Sequence, residues 1–119
     1  MALIRLTRVD GGLSYTIAVR SEDVEEVRQT VPHTTVLKWN GDMLSVKEDF
    51  EEVVFMVGTC PSDTPHGQRF VHYTTVSGCR GAVWVGAIES VLDAGDHRIV
   101  GMRDGRQVCV TTPYDDIGI

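Results

Sequence analysis

The sequence predicts a mainly β fold with one or two short helices, made by tandem duplication of a small antiparallel β unit. Two observations predict it. Residues 24–53 match residues 88–117 without a gap, at an offset of 64. In both copies a turn dipeptide, Asn40-Gly41 or Asp104-Gly105, separates two β-prone runs, and such dipeptides accept the positive φ values of a tight hairpin turn. Each copy is therefore expected to end in a hairpin followed by a short helix.

The two copies share one apolar frame. Seven apolar positions recur at the offset: Val24/Ile88, Val27/Val91, Val36/Val100, Leu44/Val108, Val46/Val110, Phe50/Tyr114 and Val53/Ile117. His33 corresponds to His97, and the acidic pair Glu51-Glu52 corresponds to Asp115-Asp116. Identity is low, but the apolar pattern, the turn and the terminal charges agree with one another. That agreement indicates a duplication.

Runs of β-prone residues bounded by glycine-containing turns predict about eight strands, in two sheets or one partly closed barrel. The runs are residues 3–9, 13–19, 35–39 and 42–46 in the first copy and 69–76, 82–87, 98–103 and 106–110 in the second. Residues 47–57 place Phe50, Val53 and Val54 on one face of a helix whose first turn is acidic, as the helix dipole favours. In the second copy, residues 113–117 leave room for barely one helical turn.

The expected organisation is one compact domain, because a unit of half this length is only marginally stable alone. The first repeat with its helix spans residues 1–57, and the second repeat spans residues 69–119. Residues 58–68 contain two prolines and two glycines and show no periodicity, so they are interpreted as the linker. Strand edges at the unit boundaries are expected to be covered by pairing in a homo-oligomer.

Charge and composition restrict the partners and the compartment. The formal net charge of −6 opposes general binding to DNA or RNA, which is driven largely by counterion release from phosphates. The first six residues mix charged and apolar side chains, unlike a signal peptide, and no run approaches the roughly 18 apolar residues of a membrane span. Three widely spaced cysteines fit a reducing compartment. We expect a cytoplasmic protein that binds neither membranes nor nucleic acid in general.

No catalytic constellation is recognisable in the sequence. It contains no nucleophile elbow, no phosphate-binding loop and no pair of carboxylates set apart from helix starts. Cys60, His66 and His72 are separated by five-residue gaps, which match no structural zinc pattern. We therefore expect a non-catalytic protein without a cofactor or a bound metal.

The arginines of the second copy are the candidate binding residues. Trp39 and Asp42 flank the first hairpin turn, whereas Arg103 and Arg106 take their places around the second. Guanidinium groups bind phosphate bidentately, and an aromatic ring can stack on a base. The candidate ligand-binding residues are Arg69, Arg98, Arg103, Asp104, Arg106, Trp84 and His97. A small nucleotide-type anion would suit this set; the alternative is a group of solvated arginines that balances an acidic surface.

Three motifs of the first copy together resemble a known family pattern. They are residues 4–11 (IRLTRVDG), residues 34–37 (TTVL) leading into Asn40-Gly41, and residues 46–53 (VKEDFEEV). With these motifs the first copy resembles the FlbD family of small flagellar and swarming accessory proteins, and similar modules occur among phage accessory proteins. The resemblance implies a flagellar or virion-associated adaptor that contacts a protein partner. The second copy and the linker have no counterpart in that pattern.

The sequence thus leaves two functions side by side. The first is a non-catalytic oligomeric binding protein, phage-encoded, that sequesters a small anionic nucleotide-type signal. It is similar in size and general character to anti-defence sponges such as those acting against Thoeris. The alternative is the FlbD-like adaptor, whose contact face would consist of sheet edges and the acidic helix of residues 47–57.

Overall fold

The computed structural model describes residues 3–30, 34–39, 41–59 and 70–117. Within these ranges the chain forms ten β-strands, one α-helix and three short 3₁₀ turns. The strands are β1 (Leu3–Asp10), β2 (Leu13–Arg20), β3 (Val24–Thr30), β4 (Thr34–Trp39), β5 (Asp42–Val46), β6 (Phe70–Thr74), β7 (Arg80–Trp84), β8 (Ile88–Asp93), β9 (Arg98–Met102) and β10 (Gln107–Val110). The helix α1 is Phe50–Thr59, and the 3₁₀ turns are Ser21–Asp23, Val85–Ala87 and Tyr114–Ile117. The predicted mainly β class is confirmed.

The strands form two antiparallel sheets. A seven-stranded sheet has the order β2-β1-β5-β4-β3-β7-β6, and a three-stranded sheet has the order β10-β9-β8. An isolated bridge between Thr75 and Val110 links the end of β6 to β10. Each copy therefore arranges its five strands in the same order, β2-β1-β5-β4-β3 in the first and β7-β6-β10-β9-β8 in the second. The pairing of β3 with β7 joins the two copies.

Local irregularities repeat along with the strands. The 3₁₀ turns Ser21–Asp23 and Val85–Ala87 are 64 residues apart. A register irregularity follows Val24 in β3 and recurs after Ile88 in β8, at the same offset. Such bulges tend to be kept within a family because they set strand twist and side-chain direction. The duplicated unit predicted from the sequence is thus present at the level of turns and bulges.

The correspondence is not free of gaps, however, because β9 lies one residue out of the frame. In the first copy Leu37 pairs with Val27 and with Leu44. In the second, Val100 pairs with Val91 and Val108, so Val100 takes the place of Leu37, and both are buried, at 2% and 0% exposure. The sequence-based pairing of Val100 with Val36 was wrong by one position.

The second hairpin turn compensates for that shift. Met102 accepts a hydrogen bond from the backbone N–H of Gly105 at 3.0 Å and donates its own N–H to the carbonyl of Arg106 at 2.8 Å. This is a three-residue loop closed by Gly105, whose φ is 96°, a conformation that glycine adopts without strain. In the first copy, β4 and β5 pair from Trp39 and Asp42, which leaves a two-residue turn. The extra turn residue returns β10 to the frame of the repeat.

The prediction of about eight strands was too low, because β3 and β8 were missed. In β3 the apolar residues Val24 and Val27 are three apart, and charged residues lie between them. The bulge between them shifts the alternation by one residue, so the two-residue period that marks a strand is broken. The same interruption after Ile88 conceals β8.

Helix α1 covers one face of the large sheet. Phe50, Val53 and Val57 are buried and pack with Leu37, Val27 and other core residues of β1 to β4 and β7, as the apolar spacing predicted. The helix extends to Thr59, so residues 58 and 59, assigned to the linker, are helical; residues 60–68 of that linker lie outside the described residues. In the described part of the chain, no helix is long and apolar enough to cross a membrane.

The small sheet covers part of the opposite face. Its buried side chains join those of β6 and β7 in a second core, made of Val71, Tyr73, Val83, Val100, Met102, Val110 and Ile117. Ile117 comes from the 3₁₀ turn that stands where the first copy has α1. The β3-β7-β6 end of the large sheet is therefore covered by the small sheet on this face. The strands β2, β1 and β5 are covered only on their other face, where α1 packs.

A close approach of ring to backbone fixes the second core. The ring of Tyr73 lies over Gly81 on the neighbouring strand β7, and a Cβ at position 81 would overlap the ring. We expect Gly81→Ala to destabilise the fold by about 1–3 kcal/mol through overpacking, measured by urea unfolding. The same change should cost clearly less in a Tyr73→Leu background, because the ring is then absent. Equal costs in both backgrounds would contradict this packing.

Candidate functional site

Four of the sequence-predicted site residues converge. Trp84, Arg103, Asp104 and Arg106 line a cavity of about 250 Å³ between the end of β7 and the β9–β10 turn. Residues of the first copy, among them Glu26 and others of β3 and β4, line its other side. The cavity therefore lies at the junction of the two copies.

The remaining predicted site residues are elsewhere. His97 and Arg98 lie at the opposite end of β9, in and beside the β8–β9 turn, where His97 Nδ1 is 2.6 Å from Asp96 Oδ1 and Arg98 Nε is 3.4 Å from Asp93 Oδ1. The hydrogen bond with His97 lowers the pKa of Asp96. Because β9 separates the two turns, the predicted set does not form one site. Arg69 lies outside the described residues.

The core of the junction is the carboxylate of Glu26, which is only 1% exposed. Arg106 Nη2 donates to Glu26 Oε1, and the Tyr73 hydroxyl donates to Glu26 Oε2 at 3.2 Å. A buried charge of this kind is tolerated only when it is paired and hydrogen-bonded. Burial, followed by the charge of Glu26, raises the pKa of Tyr73 above its ordinary range, so the hydroxyl stays a donor.

A second carboxylate extends the network to the surface. Asp104 Oδ2 accepts hydrogen bonds from Lys38 Nζ at 2.8 Å and Arg106 Nε at 2.9 Å, and Asp104 Oδ1 accepts the Arg106 backbone N–H at 3.0 Å. The bond from Lys38 is the largest cause that holds the pKa of Asp104 well below its usual value, and it raises the pKa of Lys38 in turn. Lys38 also lies 3.5 Å from Glu25. Two cations, Lys38 and Arg106, thus pair with three carboxylates across the junction, which keeps one negative charge in excess.

This pairing changes the interpretation of the predicted arginine cluster. Arg106, which would have to bind a phosphate, is already engaged by Glu26 and Asp104. Any anion entering the cavity would compete with those carboxylates and meet their negative charge. Arg103 alone among these arginines is exposed and has no ion-pair partner among the described residues. The junction is built to hold the two copies together.

A different group of cations lies on the uncovered face of the large sheet. The register of β1 and β2 pairs Ile4 with Val19 and Leu6 with Ile17, and these pairs face the helix-side core. Because side chains alternate along a strand, Arg5 and the other odd-numbered residues of β1 point to the other side. We call the outward side of β2, β1 and β5 the open face; no described helix or strand packs on it.

Three exposed cations form a row across the open face. Arg5 lies opposite Ala18, and Arg20 lies opposite Leu3, so Arg5 and Arg20 are diagonal neighbours on β1 and β2. On the other side of β1, the Lys47 N–H donates to the Thr7 carbonyl at 2.8 Å, which places Lys47 diagonal to Arg5. Diagonal neighbours on adjacent strands are about 7–8 Å apart. We call Lys47, Arg5 and Arg20 the basic row.

The basic row is free of carboxylate partners. Arg5, Arg20 and Lys47 are exposed, and none of the three has an ion pair or side-chain hydrogen bond with another described residue. The nearby carboxylate of Glu48 accepts the Thr7 N–H at 2.8 Å and the Thr7 hydroxyl at 2.9 Å. Both carboxylate oxygens of Glu48 therefore bond to Thr7 and not to a cation of the basic row, so the three cations stay available to an external anion.

Sequence reasoning missed the basic row, although a signal was present. Residues 3–9 alternate between apolar and polar or charged positions, with Ile4 and Leu6 as the inward set. That alternation already placed Arg5 on the outward side. The neighbours in the row come from β2 and from the end of β5, and their alignment depends on strand order, which a single sequence does not give.

The acidic residues concentrate on the other side of the sheet. Asp49, Glu51 and Glu52 lie at the start of α1, and Glu51 pairs with Arg80 Nη1 at 2.6 Å. The Arg80 guanidinium also lies 4.9 Å from the centre of the Phe50 ring. The start of α1 is therefore acidic, while the open face is locally basic.

Comparison with known proteins identifies the fold. No family model matches the chain, and no curated protein matches it. Among solved structures, the chain is similar to the LytTr DNA-binding domain of a protein from Bacillus cereus assigned as a methyl-accepting/DNA response regulator. The TM-score is 0.62 at 17% sequence identity, over 100% of this chain and 99% of that domain. The chain thus has the fold of that domain over its whole length.

This likeness corrects the functional predictions made from the sequence. The nucleotide-sequestering sponge, its phage anti-defence role and its small nucleotide ligand conflict with the fold of a DNA-binding domain, as does the FlbD-like adaptor. The expectation of no general nucleic-acid binding was wrong for the same reason. It rested on net charge, which averages over faces of opposite sign. The FlbD resemblance, the domain boundaries and the homo-oligomer stay predictions.

The low pKa of Asp104 gives the junction a pH dependence. An unfolded aspartate titrates near pH 3.9, so the stabilisation from Asp104 is fully present above about pH 4 and is lost as the pH falls towards its lower folded value. Between about pH 6 and about pH 3, Asp104→Asn should lose less stability than the wild type, by less than about 1 kcal/mol because the pair is partly exposed. Urea unfolding at each pH measures the difference.

Asp10→Asn is the matched control, since Asp10 also precedes a turn glycine but has no ion pair within the described residues. It should keep the acid dependence of the wild type. An unchanged acid dependence in Asp104→Asn would show that the contacts with Lys38 and Arg106 contribute nothing to stability.

Proposed function

We propose that the chain is a non-catalytic DNA-binding module. The observation that carries the proposal is the likeness of its fold, along the whole chain, to a LytTr DNA-binding domain. A partial match would leave room for an inserted or missing functional element, but here nearly the full length of both chains is aligned. The proposal includes a cytoplasmic location, where Cys79 and Cys109, both free thiols, would stay reduced.

The distribution of charge supports the proposal. DNA affinity depends on the cations that reach phosphates, because each one releases condensed counterions. Within the described ranges, four lysines and arginines are held by carboxylates, namely Lys38, Arg80, Arg98 and Arg106. Three exposed cations without such partners, Arg5, Arg20 and Lys47, lie together on the open face. A net charge of −6 is compatible with DNA binding when that face is turned towards the duplex.

The non-catalytic part of the proposal rests on how polar groups are used. Within the described residues, no group of three histidine, cysteine, aspartate or glutamate side chains is placed to hold a metal ion. The most perturbed pKa values belong to Tyr73 and Asp104, and both groups are consumed by the junction. A strongly perturbed group marks a reactive site only when it is free to act on a substrate, which neither is.

The proposal predicts duplex binding that weakens with salt. The full chain, titrated against a labelled random-sequence duplex library and followed by fluorescence anisotropy, should bind at about 50 mM salt and release as the salt is raised to about 200 mM. Sequencing of the retained duplexes tests for sequence preference. Single-stranded DNA of equal length serves as the second probe.

Two results would contradict or weaken the DNA-binding proposal. If no duplex in the library is retained at the lower salt, the DNA-binding proposal is wrong. Equal retention of single-stranded and duplex DNA with no sequence enrichment would reduce it to a general affinity for polyanions.

A further inference from the structure

We propose that the open face of β2, β1 and β5 is the surface that contacts the DNA backbone, and that the basic row of Lys47, Arg5 and Arg20 carries that contact. The inference rests on the proposed DNA-binding function and adds the location and the residues. It places the contact away from the arginines of the β9–β10 turn, to which sequence reasoning pointed.

The spacing of the basic row suits a phosphate backbone. The diagonal step from Lys47 to Arg5 and the step from Arg5 to Arg20 are each about 7–8 Å. This is close to the separation of successive phosphates along one strand of a duplex. Arg5 and Arg20 belong to β1 and β2, and Lys47 directly follows β5 and is bonded to β1 through its N–H. Their Cα positions are therefore held by backbone hydrogen bonds and do not have to be ordered on binding.

No carboxylate of the described chain competes with DNA phosphates for the cations of the basic row. In the junction, each engaged cation would have to leave a carboxylate before it could bind a phosphate, at a cost in desolvation and pairing. Arg5, Arg20 and Lys47 are exposed and have no ion-pair partner in the described ranges. Binding costs them hydration and side-chain freedom, and the release of counterions from DNA offsets this cost.

Hydroxyl side chains lie beside the basic row. Thr16 and Ser14 are exposed on β2, and the register places them on the same side as Arg5 and Arg20. Hydroxyl groups share the phosphate contacts of DNA-binding proteins with arginine and lysine. The cations of the basic row are thus flanked on β2 by small hydroxyl side chains that can add contacts to the sugar-phosphate backbone.

Two other large surfaces, the helix side and the β8–β9 turn, are acidic and therefore unsuited to DNA. The helix side presents Asp49, Glu51 and Glu52 around the start of α1. The β8–β9 turn presents Asp93 and Asp96, which hold Arg98 and His97. Both surfaces would repel a duplex, so the orientation with the open face towards DNA is the one that keeps these carboxylates away from phosphates.

The test compares two triple variants of equal charge. Arg5→Ala/Arg20→Ala/Lys47→Ala removes the basic row, and Arg80→Ala/Arg98→Ala/Arg103→Ala removes three arginines from other surfaces. Each variant is titrated with the best duplex from the library between about 50 and 200 mM salt. All six positions lie at the surface or are only partly buried, and thermal unfolding checks that both variants remain folded.

Loss of the row should reduce the magnitude of the slope of log K against log salt by about 2.7, which is about 0.9 for each of three phosphate contacts. At about 0.1 M salt this corresponds to roughly 100- to 1,000-fold weaker binding. The control variant should keep the wild-type slope.

Three results would overturn the inference, and they are distinguishable. A row variant that binds with the wild-type slope shows that DNA contacts another surface, while the DNA-binding function stands. An equal fall of the slope in both variants shows an effect of net charge alone, and it also contradicts the open face as the contact surface. Failure of the wild-type chain to bind any duplex overturns the proposed function and the location together.

Discussion

The structure depends on one buried carboxylate. Glu26 sits on a bulged strand of the first copy and is held by Arg106 and Tyr73 of the second. Neither copy buries enough apolar surface to be strongly stable alone, and the carboxylate would be costly to bury without both partners. Together with the pairing of β3 and β7, the contact joins the two copies. It also engages Arg106, which the sequence suggested as a phosphate ligand.

Much of the fold was predictable because local signals were strong. The alternation in β1, the glycine turns and the apolar face of α1 each report a local backbone choice, and all three were correct. The failures have a common cause in register. The bulge after Val24 hides β3, and the shift of β9 changes which residue faces the core. Register is fixed by neighbouring strands, and a single sequence does not state which strands are neighbours.

The candidate site was harder to predict than the fold for a related reason. Counting charges gave a negative protein, and counting arginines directed attention to the second copy. Neither count shows which charges are paired. Pairing depends on contacts between residues far apart in sequence, such as Lys38 with Asp104. The contacts that engage Arg106 do not reach Arg5, Arg20 and Lys47, so the proposed DNA-contact surface is identified by which cations are unpaired as much as by composition.

The displaced strand β9 bears on how such a duplication diverges. One residue is missing before β9 relative to the first copy, and one is added in the turn after it. Either change alone would reverse the parity of a strand and exchange its inward and outward side chains. An intermediate with one change would bury polar residues and expose Val100. The two length differences are therefore coupled: with both present, β10 keeps its inward and outward sides, and with only one it would not.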